Sequence, residues 1–316
     1  CIELYFASGI LYSIEYYVKE FLKSMFKIIS DSACDLSQAY IEKNNIDIVP
    51  LSVSFDGENY FLDGVDITRN ECYQRMVDNP KTYPKTSLPS VDLFYKAFEM
   101  YVKEDIPVVC FTISLIFSGS YNSARNAKEL ILEEYPNAEI HIIDSKQNTV
   151  TQGLIVDQMA KMRDNNVPLE TALEKIEKVI ASARIFFTVG SLDYLQMGGR
   201  IGKVAAAASK IDVKPVIIMK DGDIGLGGIG RNRNKLKKKV LEVADKYLTE
   251  NGKDNFVISV EYGYDASEGV SFMNQLEETL NVKLQSETNV AIGIVSGVHT
   301  GPHPIGLGVV KKYETV

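Results

Sequence analysis

Histidine is scarce in this chain: three in 316 residues, His141, His299 and His303. Cysteine is nearly as thin, at Cys1, Cys34, Cys72 and Cys110, widely spaced and without a C-x-x-C pair. That excludes a disulfide framework and a cysteine-built zinc site, and fits a reducing cytoplasm. Long apolar runs are missing too. The best, "IPVVCFTISLIF", is 12 residues, against about 20 for a membrane-spanning helix, and reads as a buried strand. Positive charge is in deficit, with 34 Lys and Arg against 42 Asp and Glu, net -8. Phosphate binding needs a basic field, so nucleic acid is excluded as a main partner. What is present is ordinary for a globular protein, 45% hydrophobic and 24% charged, enough for one large domain or two average ones.

The first 24 residues lack a basic n-region and carry Glu3, Glu15 and Glu20, which argues against a signal peptide. "MFKIIS" looks like the start of a protein whose first element is a strand, so residues 1–24 read as an upstream extension. The alternative is an amphipathic helix packed on the domain.

From Met25 onward short apolar strands alternate with helices of ten to fifteen residues, the pattern of a parallel α/β sheet. "FKIIS", "NIDIVPLSVSF", "PVVCFTI" and "AEIHIID" are the expected strands. Thr68 is placed to cap a helix through Met76, and Ser90 one that carries Val91, Phe94, Phe98, Tyr101 and Val102 on a single face. After helix "PLETALEKIEKVIASA" the pattern changes to a strand "RIFFTVG", a turn "MGGRIG", a hairpin around "KDGD", a long basic helix and terminal strands. The expectation is α/β with two domains: an N-terminal α/β/α layer with a parallel sheet, residues 25–180, and a C-terminal α/β domain with a mixed sheet, residues 181–316.

Ligands of parallel sheets bind beyond the strand carboxyl ends, where helix N-termini present free N–H groups. "IIS-DSACDL", "FTISLIF-SGSYNSA" and "HIID-SKQNT" each run from a strand into small polar residues and a helix, and "KTSLPS" delivers Thr86 and Ser87 before another. Each alone reads as a helix cap; the set reads as a site for a carboxylate or phosphate. "GLGGIG", Gly225 to Gly230, matches G-x-G-x-x-G, but the turn at "KDGD" makes it the return strand of a hairpin rather than a dinucleotide loop. The basic run Arg231 to Lys239 is either a solvated helix face or a docking face for an acidic partner or anionic lipid.

His299 and His303 have the H-x3-H spacing by which a helix presents two ligands to zinc. Gly297, Gly301, Pro302 and Pro304 are expected to forbid that helix, so no metal site is expected. Ser118 and His299 could form a hydrolase triad with an aspartate, since triads are set by geometry, although "IFSGSY" lacks the G-x-S-x-G elbow.

Several motifs in order, "DSACDL", "KTSLPS", "TISLIFSGSYNSA", "DSKQNTVTQG", "LDYLQMGGRIGK", "KPVIIMKDGDIGLGGIGRNR" and "HTGP", make the chain from Met25 to its C-terminus resemble the DegV family. These are fatty-acid-binding proteins that serve a bacterial fatty acid kinase. The resemblance implies one fatty acid held between two domains, its carboxylate met by Thr86, Ser118 and His299, with Ser87, Gly119 and Thr300 as neighbouring contacts. It implies a cytoplasmic carrier rather than a catalyst. A separate subunit related to dihydroxyacetone kinase would phosphorylate the bound acid, and the acyl phosphate would pass to phospholipid synthesis, with transient contact to the membrane surface. Arg200, Arg231 and Arg233 would face the kinase. No cofactor is implied. Against the family's pattern, His303 stands where glycine is usual, Leu115 and Ile116 replace a polar pair, and Thr151 replaces a glycine. The enzyme alternative remains a serine hydrolase of acyl esters using Ser118 and His299.

Overall fold

The computed structural model describes residues 26–204, 214–284 and 290–316. The extension expected at residues 1–24 lies outside the described residues. In chain order the strands and helices are β1 (Lys27–Asp31), α1 (Gln38–Lys43), β2 (Ile46–Val49), β3 (Ser52–Ser54), β4 (Phe61–Leu62), α2 (Arg69–Asp78), β5 (Lys85–Ser87), α3 (Val91–Val102), β6 (Val108–Thr112), α4 (Ser120–Glu134) and β7 (Ile140–Asp144). Then follow α5 (Thr149–Asp164), α6 (Leu169–Ser182), β8 (Arg184–Thr188), α7 (Asp193–Met197), β9 (Lys214–Lys220), β10 (Asp223–Gly230), α8 (Arg233–Asn251), β11 (Phe256–Tyr262), α9 (Ala266–Leu280), β12 (Val290–Ala291), α10 (Ile294–Thr300) and β13 (Ile305–Lys311).

The first sheet is parallel, ordered β2-β1-β6-β7. Its central strands β1 and β6 are buried along their whole length because both faces are covered, while the edge strands β2 and β7 are only partly buried. Ile28, Val109 and Phe111 pack with α5 and α6, while Ile29, Val108 and Cys110 meet α3 and α4. Period two therefore separates the two cores although no polar residue marks it. The expected helix starts are in place: Ser90 Oγ accepts from Leu93 N, and Thr68 forms a reciprocal capping box with Glu71.

The segment "NIDIVPLSVSF", expected as one strand, is broken at Pro50. Its first part joins the parallel sheet as β2, and its second becomes β3 in a separate three-stranded antiparallel sheet, β4-β3-β5. Proline has no N–H to give a ladder, so the chain leaves one sheet there and enters another. β5 carries Thr86 opposite Val53. Thr86 thus lies on a strand, just ahead of the helix capped by Ser90.

The second sheet is ordered β10-β9-β8-β13-β11-β12, antiparallel except for β11 with β12. β9 and β10 form the hairpin expected from "KDGD", with Asp221 and Gly222 at positive φ. The glycine run lies on β10 as a return strand. α8 and α9 cover one face through Leu236, Val240, Leu241, Phe272 and Leu276.

α5 lies between the sheets and contacts β1, β11 and β13. Every residue from Thr149 to Ala160 is buried, polar ones included. Such burial requires partners for the polar groups. Gln152 Nε2 donates to Asp31 Oδ1 at 2.8 Å, Tyr40 donates to Asp157, and Gln158 Oε1 accepts from Tyr313 N at 2.9 Å. Gly153 permits the close approach: a Cβ there would lie 2.5 Å from the Cys34 carbonyl oxygen. Cys34, Cys72 and Cys110 are free and buried. Among the described residues no helix is long and apolar enough to cross a membrane.

Candidate functional site: a cavity between the sheets with a hydroxyl–imidazole end

A cavity of about 200 Å³ lies between the parallel sheet, the six-stranded sheet and α10. Ile185, Phe187, Met219, Ile224 and Leu195 supply apolar wall, and polar groups enter from β5, the β6–α4 loop, the start of α5 and α10. Three of the four segments expected to form a site reach it. "KTSLPS" brings Thr86, Ser87 and Leu88; "IFSGSY" brings Phe117, Ser118 and Gly119; "SKQNT" brings Asn148 and Thr149. The fourth, "DSACDL", builds scaffold instead. Buried Asp31 accepts from Ile113 N, Ser120 Oγ and Gln152 Nε2, tying β1 to the β6–α4 loop and to α5.

Glycine and proline were expected to forbid a helix that carries both His299 and His303, and α10 stops short of one: it runs from Ile294 to Thr300 and carries His299 alone, in its last turn. Gly297 is tolerated because the helix passes directly over a ring, and a Cβ there would lie 2.6 Å from Tyr73 Oη. Gly301, at φ 77°, then ends the helix. His303 falls outside it, exposed and away from the cavity. The two histidines therefore do not share a helix face. Among the described residues no group of three His, Cys, Asp or Glu side chains is arranged to hold a metal ion.

His299 Nε2 lies 2.9 Å from Thr86 Oγ1. Nδ1 has no hydrogen-bond partner and packs on Gly198, where a Cβ would lie 2.3 Å away. Burial, with a smaller contribution from the nearby Arg200 charge, pulls the imidazole down to about 4, so it is neutral at physiological pH. When Nε2 carries the ring proton it donates to Thr86 Oγ1, and the threonine O–H is left free for a ligand oxygen. Ser118 Oγ already accepts from Ser120 N at 3.2 Å, so its own proton is likewise free to donate. Thr300 Oγ1 donates to Ser296 O within its helix. A hydrolase triad is not assembled: the imidazole's Nε2 faces Thr86, and no carboxylate orients Nδ1.

Arg200 also borders the cavity, as a strut in its wall. Its guanidinium donates to the Phe117 carbonyl, from Nη2 at 3.1 Å, and to the Gly198 carbonyl. It thereby pins the loop that carries Ser118. Arg233 pairs bidentately with Glu268 at 2.7 and 2.8 Å, Arg231 is exposed, and neither borders the cavity. Leu115 and Ile116 are half exposed, at 52% and 55%.

Sequence reasoning missed Glu261 and Ser296, both of which border the cavity. Glu261 Oε1 accepts from Thr149 Oγ1 and Thr151 Oγ1, each at 2.8 Å, and desolvation pushes its carboxyl up to about 7. The available signal was one acid inside the otherwise apolar strand "FVISVEY".

Fold and site together define a three-sheet α/β protein with a cavity apolar along one wall and lined at one end by hydroxyls and a neutral imidazole. The DegV family model, described as "Uncharacterised protein, DegV family", matches residues 25–312, and the chain belongs to that family. A DegV domain-containing protein of Clostridium perfringens is 30% identical over 288 residues, covering 90% of this chain and 99% of its own length. A stearic-acid-binding protein from Eubacterium ventriosum superposes with TM-score 0.91 at 69% identity, covering 92% of this chain and 100% of that one. A DegV family protein from Thermus thermophilus, described by its fatty acid binding, has TM-score 0.81 at 24% identity over 91% of this chain and 99% of that one, and shares the fold.

Proposed function

We propose that this chain binds one long-chain fatty acid in the cavity and carries it to a separate kinase subunit. The carboxylate is held by the hydroxyls of Thr86 and Ser118 beside His299, with Ser87, Gly119 and Thr300 around it. The tail lies along Ile185, Phe187, Met219 and Ile224. The observation that carries this reading is the Thr86–His299 pair, 2.9 Å apart at the edge of an apolar cavity, in a chain 69% identical to a stearic-acid-binding protein. Each buried methylene contributes about 0.8 kcal/mol, so the tail supplies most of the affinity and the head group needs only positioning. Two neutral hydroxyl donors, one of them backed by a neutral imidazole, hold a carboxylate without neutralising it, which leaves an oxygen nucleophilic enough to attack a phosphoryl donor on the partner. The protein is a carrier of the cytoplasm, divided near residue 180, and its basic run with Arg231 and Arg233 borders the partner's docking face.

Native extraction followed by mass spectrometry should recover an intact fatty acid from the purified protein. Thr86→Ala and His299→Ala should each weaken fatty acid affinity by roughly ten-fold or more, the usual effect of removing a hydrogen bond to a charged group. Recovery of no lipid, or unchanged affinity in both variants, would refute the reading. Addition of a dihydroxyacetone-kinase-like subunit with ATP should convert the bound acid to an acyl phosphate.

A further inference from the structure

The cavity has a second polar group that a carboxylate held at Thr86 and Ser118 does not use. Glu261 of β11 is in register with Gly306 of β13, and Gly306 with Phe187 of β8. Glutamate and phenylalanine therefore flank a glycine on one rank of the sheet, and both border the cavity. The glutamate is fixed, not free to turn away. Oε1 accepts from two threonine hydroxyls of α5, and β13 leaves room for that arrangement only because position 308 is glycine. A Cβ at Gly308 would lie 1.9 Å from Thr151 Oγ1 and 2.9 Å from Glu261 Oε1. With Oε1 accepting twice, the proton of the neutral acid belongs on Oε2. Burial pushes the carboxyl up to about 7, so below neutral pH the acid is mostly protonated and can donate.

Ser296 of α10 borders the same cavity. It is 4% exposed, and its Oγ has no hydrogen-bond partner among the described residues. A purely hydrocarbon tail leaves the buried serine hydroxyl unpaired, which costs free energy. A hydroxyl on the ligand repairs this, exchanging a hydrogen bond with Ser296 and accepting from Glu261.

We propose that the cavity selects an acyl chain bearing a hydroxyl group, which Glu261 and Ser296 receive. This rests on the fatty acid reading above and specifies its substrate class. The competing source of the same chemistry is a bound water, which would satisfy the two side chains and give no preference among acids.

The test is isothermal calorimetry at pH 6 on the full chain, stripped of lipid, with stearic acid and a series of monohydroxystearic acids differing in hydroxyl position. One positional isomer should bind about ten-fold tighter than stearic acid, the scale of one or two well-made neutral hydrogen bonds. Ser296→Ala and Glu261→Leu should each cut that ratio to about three-fold or less, with circular dichroism reporting whether each variant is folded. Glu261→Gln, which keeps a donor, should retain the ratio and serves as the variant least disturbing to packing. If no isomer binds more tightly than stearic acid, a water occupies the position and the proposal falls; if a preference survives Ser296→Ala intact, other groups receive the hydroxyl and the proposal falls as well. If neither stearic acid nor any isomer binds, the fatty acid reading falls and takes this one with it.

Discussion

In the proposed function His299 acts as a neutral group. A charged imidazole beside a bound carboxylate would form an ion pair and dull the oxygen proposed to react; a neutral one spends its proton on Thr86 and leaves the threonine O–H for a ligand. Burial and the Arg200 charge keep it so, holding the imidazole at about 4. The same geometry removes Ser118 from nucleophilic chemistry, because the base that would activate it faces another hydroxyl and has no carboxylate behind it. Incubation with a fluorophosphonate should therefore give no adduct at Ser118 by intact mass; a stoichiometric adduct abolished in His299→Ala would reinstate the hydrolase.

At the scale of elements, the site is held by close approaches that only glycine permits. α5 crosses β13 at Gly308, where the Thr151 hydroxyl occupies the space of a side chain, and α10 crosses Tyr73 at Gly297. Gly308→Ala should be destabilising by about 1–3 kcal/mol, the usual cost of overpacking a core. Thr151→Ala in the same chain should restore part of that stability, because it removes the oxygen 1.9 Å from the new methyl. Denaturant melts of the two single variants and the double variant give the coupling directly. Strictly additive losses would show that the crossing relaxes by moving backbone instead. Thr151 supplies one of the two hydroxyls that hold Glu261.

Across the whole molecule, two buried groups in one cavity bend the pH–stability curve in opposite directions. His299 has a folded value near 4, below its usual 6.5. The unfolded chain binds more protons between those values, so this group's contribution is full above about 6.5 and is lost as pH falls towards 4. Glu261 has a folded value near 7, above its usual 4.5. There the folded chain binds more protons, so the contribution is full below about 4.5 and is lost as pH rises through 7. Asp35, a buried carboxyl that accepts from Gly293 N at the start of α10, is raised in the same sense, chiefly by desolvation. The His299 and Glu261 slopes cancel over most of the interval in wild type. Relative to wild type, His299→Gln should lose more stability at pH 7 than at pH 4.5, and Glu261→Gln should gain stability at pH 7.5 that it lacks at pH 5. Thermal midpoints of the three proteins across pH 4.5–8 would show it; parallel curves would mean that neither group titrates as its burial requires.

The α/β alternation, the Thr68 and Ser90 caps and the hairpin at "KDGD" were legible because each depends on residues within a turn or two of each other. Thr86, Ser118 and His299, grouped by motif order rather than by any visible chemistry, border one cavity; that they hold a carboxylate is the proposal. The break at Pro50 was readable in principle, since proline cannot continue a ladder, yet the apolar run hid it. That a helix reaches as far as His299 was not, because Gly297 is unfavourable alone and is accommodated there by the close passage over Tyr73, over 200 residues earlier in the chain. Glu261 drew no notice as a lone acid in a strand. By itself the sequence determined the elements, their caps and the identities of the polar groups, since those follow from local periodicity and side-chain chemistry. Only the tertiary structure decided that Thr86 and His299, 213 positions apart, meet at 2.9 Å, and that Glu261 faces a cavity and not water. Distance, burial and the proton affinities that follow from burial are properties of the packed chain, and no local pattern encodes them.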